Sequence, residues 1–144
     1  MSRVICSTLI ILVLLAVVAI SQDSRLTQPV EETATSKLTA DVEICTDVVD
    51  RACTGSAPAF DANVGKLYCW SRISGMTDET TIRHIWLYSG KTVLEVPLTI
   101  KGNHWRTWSC KNISASMTGD WEVRIIDASG SNIASTVFTV GDKK

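Results

Sequence analysis

The residues predict an all-β domain: an antiparallel β-sandwich of the immunoglobulin or fibronectin class, with about seven strands between positions 38 and 141. Three observations carry that expectation. Short runs of alternating character recur from Leu38 onward, each closed by a turn-forming cluster. No apolar pattern at helical spacing lasts for about ten residues. The chain of 144 residues is 45% apolar with five tryptophans, which suffices for one β-type core and not comfortably for two. A small closed barrel is the alternative architecture for the same pattern.

The first segment stands outside that domain. Arg3 precedes an unbroken apolar run from Leu9 to Ile20, which is the length of an export-signal core and too short to cross a bilayer alone. Ala19 and Ser21 supply the small residues that a signal peptidase reads, so residues 1–21 are expected to be removed before Gln22. The alternative is an uncleaved N-terminal anchor, with membrane contact only through residues 4–20. The expected location is periplasmic or secreted in the first case and anchored in the second. Residues 22–37, QDSRLTQPVEETATSK, are polar and lack apolar periodicity, which predicts a flexible stem. The domain is expected over 38–141, with a short tail over 142–144.

Within the domain, Leu38 to Val49 alternates loosely through Ala40, Val42 and Ile44. Lys66 to Ile73 puts Leu67, Cys69, Ser71 and Ile73 on one face and Tyr68, Trp70 and Arg72 on the other. Thr81 to Tyr88 reads TIRHIWLY and ends at Ser89-Gly90, a hairpin signal. Thr92 to Ile100 continues as a strand in spite of Pro97, which argues for an edge position or a bulge. Lys101-Gly102-Asn103 turns the chain into His104 to Lys111. Asp120 to Asp127 groups Trp121, Val123 and Ile125, and the turn at Asp127-Ala128-Ser129-Gly130 leads to Ile133–Val140.

Charge excludes one class of partner. The chain carries 14 Lys and Arg against 15 Asp and Glu, with no basic stripe of the kind a nucleic-acid binder shows. Four cysteines follow the signal: Cys45, Cys53, Cys69 and Cys110. An even count in an exported chain points to two disulfides with three possible connectivities, of which Cys45–Cys53 is the simplest local pairing. No zinc site is expected, because no CxxC pair exists and the two histidines, His84 and His104, are isolated from such spacing. Asp47 and Asp50 lack the repeated acidic pattern and central glycine of a calcium loop. No metal or cofactor is therefore expected.

The concentrated chemistry is aromatic. Trp70, Trp86, Trp105, Trp108 and Trp121 are joined by Tyr68 and Tyr88. A sandwich uses one or two such rings between its sheets, so the surplus is a candidate binding platform for sugars or a partner peptide. His84, Trp86 and Tyr88 share one side of a strand. Arg106 shares a side with Trp108, where its guanidinium is placed to lie over an indole or to meet a carboxylate. The candidate binding surface is accordingly Trp70, His84, Trp86, Tyr88, Trp105, Arg106, Trp108 and Trp121. No catalytic residue is assigned: His84 has nearby Ser71 and Ser89, but no Gly-x-Ser-x-Gly elbow appears.

Several segments together carry a resemblance: Tyr68-Cys69-Trp70, His84–Tyr88 with Gly90-Lys91, Trp105–Lys111, Thr118–Val123, and Asp127 with Gly130. In this order they resemble the bacterial domain family DUF2914, of unknown function, over about residues 38 to 140. The resemblance implies an exported or envelope-associated module with no assigned catalytic residues. Ala52-Cys53 stands where the family tends to read Glu-Pro, and Cys110 where it tends to read Ser. That departure implies a Cys53–Cys110 pair, leaving Cys45 with Cys69, in competition with the local Cys45–Cys53 choice.

The expected function is a non-enzymatic, exported binding module whose partner is another envelope protein or a glycan. The alternatives are a carbohydrate-binding module, a small envelope hydrolase using His84, and a structural component of a larger assembly.

Overall fold

The computed structural model describes residues 37–141. The signal or anchor over 1–21, the stem over 22–37 apart from Lys37, and the tail over 142–144 lie outside the described residues. Ten strands are formed: β1 (Thr39–Cys45), β2 (Asp47–Val49), β3 (Ala52–Thr54), β4 (Ala59–Phe60), β5 (Lys66–Ser74), β6 (Thr80–Tyr88), β7 (Lys91–Ile100), β8 (Trp105–Asn112), β9 (Gly119–Ile126) and β10 (Asn132–Val140). They make a three-stranded sheet in the order β1-β5-β8, a five-stranded sheet β4-β10-β9-β6-β7, and the small hairpin β2-β3.

The period-two runs become strands because alternate side chains fall on opposite faces, and one face of each sheet is apolar. Ile44, Leu67 and Cys69 from the first sheet meet Trp86, Trp121, Val123, Phe138 and Val140 from the second in one buried cluster. Ile73, Ile82, Ile100 and Ile125 form another. Each large apolar side chain taken from water contributes about 1.5–3 kcal/mol. The rings pack in preferred geometries, with Trp86 edge-on to Phe138 at 6.3 Å and Trp121 stacked on it at 6.0 Å.

The turns follow their residues. Ser89 and Gly90 both take positive φ, 47° and 78°, which is the two-residue turn that matches strand twist between β6 and β7. Asp127 Oδ1 accepts from the backbone N–H groups of Ser129 and Ser131 and from the Ser129 hydroxyl, closing the β9–β10 turn. Pro97 lies opposite Arg83 in β7, an edge strand, the position in a sheet where proline is tolerated.

Three expectations are corrected. The count of about seven strands becomes ten among the described residues. Leu38–Val49 is split at Thr46, and β3 and β4 are too short to show a period. The larger sheet is mixed rather than antiparallel throughout, since β4 runs parallel to β10 with Thr139 opposite Ala59 and Val140 opposite Phe60. The disulfide is Cys45–Cys53, while Cys69 and Cys110 are free thiols. The competing Cys45–Cys69 pair is unreachable. Cys69 faces the core opposite Ile44, whereas Cys45 lies opposite Tyr68 on the other face. The closed barrel is not formed either: the two main sheets remain separate, with β7 and β8 as edges.

Candidate functional site

The eight residues singled out above separate into a buried set and a groove. His84 is fully buried between the sheets. Its Nε2 lies 3.0 Å from Ser71 Oγ on β5, and its Nδ1 lies 2.8 Å from Ser109 Oγ on β8. Ser109 Oγ also accepts the Trp86 indole N–H at 3.0 Å. A neutral imidazole has one donor and one acceptor, so two hydroxyls satisfy it in either tautomer. Burial pushes the His84 pKa down to about 4, because a charge there would lose its water. The network ties the three-stranded sheet to the five-stranded one.

The other buried tryptophans are likewise satisfied. Trp86 and Trp121 are core side chains, and Trp121 donates its N–H to the Met117 carbonyl at 3.1 Å. Tyr88 packs at 4.8 Å from the Trp121 ring and donates its hydroxyl to the Thr118 carbonyl. Trp70 faces outward on β5 and would be exposed there, but the β2-β3 hairpin folds over it. The Arg51 carbonyl at the hairpin tip accepts the Trp70 indole N–H at 2.9 Å. The Cys45–Cys53 bridge holds that hairpin to β1, which leaves Cys45 fully buried on the outer face.

Trp105, Arg106 and Trp108 are brought together elsewhere. A groove of about 430 Å³ is lined by Arg51, Thr99, Trp105, Arg106, Thr107 and Trp108. Trp108 is 39% exposed. Trp105 is half-buried and packs against the isoleucine cluster. Among the described residues, Arg72, Arg83 and Arg124 are paired with Asp41, Glu95 and Glu122. The two remaining described arginines, Arg51 and Arg106, have no ion pair among the described residues, and both line this groove. The same holds for the indoles: Trp70, Trp86 and Trp121 donate internally, whereas Trp105 and Trp108 have no such acceptor among the described residues. The groove thus gathers two arginines and two tryptophans, residue types suited to an oxygen-rich, negatively charged ligand.

Arg51 was not legible as a site residue from the sequence. The available signal was Asp50-Arg51 between Val49 and Ala52, a two-residue turn inside the short Cys45–Cys53 loop. Both turn residues take positive φ, 50° and 62°. Glycine is the inexpensive choice at the second position of such a turn, and arginine stands there instead. Ser109, the second partner of His84, stood only within the Trp105–Lys111 segment, and nothing in its spacing linked it to His84. Elsewhere, a concavity of about 310 Å³ borders Trp121, Val137 and Phe138, with Val137 72% exposed. Among the described residues no group of three His, Cys, Asp or Glu is placed to hold a metal ion, and no helix is long and apolar enough to cross a membrane.

Residues 79–140 match a family described as "Protein of unknown function (DUF2914)". The matched stretch runs from the residue before β6 to the end of β10, so Tyr68-Cys69-Trp70 precedes it. No curated protein matches this chain. Among solved structures, the chain is similar to the crystal structure of a beta-glucosidase from Listeria innocua in complex with glucose, at 8% identity and a TM-score of 0.42. The similarity covers 73% of this chain and 16% of that one; it is too distant to carry an argument.

Proposed function

We propose, from a chain whose residues 79–140 match the DUF2914 family, a non-catalytic, exported recognition domain whose binding site is the groove at Trp105, Arg106 and Trp108. One observation carries this reading. The arginines and indoles that the described fold leaves without internal partners converge on one groove, while their counterparts elsewhere are satisfied. A partner with clustered carboxylates is the natural complement. Export rests on the apolar run Leu9–Ile20 and its small-residue flank, and the partner is accordingly another component of the bacterial envelope.

The strand orders favour an immunoglobulin-like sandwich as the finer description of the fold. β1-β5-β8 corresponds to the smaller sheet of such a domain without its outer strand. β4-β10-β9-β6-β7 corresponds to the larger sheet, with buried Trp86 on β6 as its core tryptophan. The missing outer strand is what leaves β8 open. His84 fits a structural role better than hydrolysis: it has no solvent exposure, and both ring nitrogens are held by serines.

Calorimetric titration with carboxylate-rich and neutral ligands tests the proposal. Binding is expected only for the carboxylate-rich set, weakened at least tenfold by Arg106→Gln and declining with added salt. Equal binding by the Arg106→Gln variant would remove the groove from the function.

A further inference from the structure

The groove runs along the edge of β8, not over one of its faces. Trp105, Arg106, Thr107 and Trp108 are consecutive, and all four line it. Register with β5 places Trp105 and Thr107 opposite the core-facing Ile73 and Ser71, and Arg106 and Trp108 opposite the outward Arg72 and Trp70. A cleft lined from both faces of one strand must lie at that strand's open side. β8 has only β5 as a neighbour, so every second residue turns its N–H and C=O away from the sheet. Such an edge is a template for one more strand.

We propose that an acidic, extended segment of another protein docks as an added strand along the open edge of β8, with its carboxylates on Arg51 and Arg106. The inference rests on the groove being the recognition site and specifies its occupant. Charge complementarity selects an acidic segment, since Arg51 and Arg106 lack carboxylate partners among the described residues. Arg51 supplies a second, independent pointer: it takes φ 62°, a conformation that disfavours a side chain, at the tip of a hairpin stapled by Cys45–Cys53. A sugar would instead need coplanar rings on one face. Trp105 and Trp108 point to opposite faces of β8, and Trp70 is covered by the hairpin. In an added strand, alternate side chains repeat on one face about every 6–7 Å. Acidic residues at every second position would therefore meet the arginine side, with smaller apolar residues on the Trp105 side.

The test is selection of a displayed random decapeptide library on the full chain, followed by amide-shift mapping of a selected peptide. Acidic residues at alternating positions are expected, with shifts concentrated in Trp105–Asn112. N-methylation of alternate peptide amides in one of the two registers should weaken binding at least tenfold. Arg51→Gly should weaken it about as much while the melting temperature stays equal or rises, which separates lost recognition from lost folding. No enriched peptide, enrichment without acidic bias, or indifference to N-methylation in both registers would overturn the proposal. If a trigalacturonate probe shifts Trp108 while no peptide does, the strand docking fails and the groove remains the recognition site. If neither probe shifts β8, both readings fail.

Discussion

His84 is fully buried between Ser71 and Ser109, so its neutral form is a condition of the fold. The sign of the pH effect follows. The unfolded chain binds a proton near pH 6.5 and the folded chain near pH 4. Stability from this residue is therefore complete above about pH 6.5 and is lost as the pH falls toward 4, by about 3 kcal/mol in total. Urea titrations across that window should show the decline in the native protein and a flatter profile in His84→Gln. A native profile with no slope between pH 6.5 and 4 would mean the ring is hydrated. Arg51 presents the opposite balance. Its left-handed backbone costs about 1 kcal/mol that glycine would avoid, so Arg51→Gly is expected to raise denaturant stability by about that amount. A loss of stability would show that the side chain supports the fold. The alternation TIRHIWLY made His84 and Trp86 legible as same-face neighbours. Which face was inward depended on Ser109, 25 positions away, and period-two spacing contains no such information.

At the level of strands, the hairpin β2-β3 and the edge of β8 act together. The hairpin covers Trp70 and carries Arg51 to the groove, and one short disulfide loop fixes it. Replacing Cys45 and Cys53 by serine should cost about 2–3 kcal/mol through loop entropy and should expose Trp70, seen as a red shift and easier quenching of its fluorescence. An unchanged denaturation midpoint would show that the hairpin is held by its own contacts. The free thiols should behave differently from each other. Cys110 points outward, while Cys69 is buried and burial pushes its thiol well above the usual range. Peptide mapping after brief alkylation of the native protein should find label on Cys110 and not on Cys69; rapid labelling of Cys69 would reveal opening of the core. The long strands could be read directly from alternation and turn residues, and of the two readings of Pro97, an edge position or a bulge, the strand order shows the edge. The short ones could not, because two or three residues have no period. β4 exists only through its parallel pairing with β10, some 80 positions along the chain.

Taken whole, the molecule satisfies its polar groups almost everywhere: no described buried side-chain nitrogen or oxygen lacks a hydrogen-bond partner. Against that background the donors around Trp105 and Trp108 stand out, and they coincide with the one open side of the three-stranded sheet that faces β7. Sequence arithmetic located half of this site, since Trp105, Arg106 and Trp108 are adjacent in the chain. Surplus tryptophans alone misled, because Trp86 and Trp121 fill the core and Trp70 lies under the hairpin. Composition cannot distinguish a ring that packs from one that waits for a ligand; only the second sheet and the hairpin decide it. The deciding measurement is acrylamide quenching of tryptophan fluorescence in the native protein and in Trp108→Phe, with and without a carboxylate-rich peptide. The groove predicts that most quenchable emission disappears in Trp108→Phe and that the peptide protects it in the native protein. Unchanged quenching in the variant, or a peptide that binds without protecting Trp108, would place recognition somewhere else on the domain.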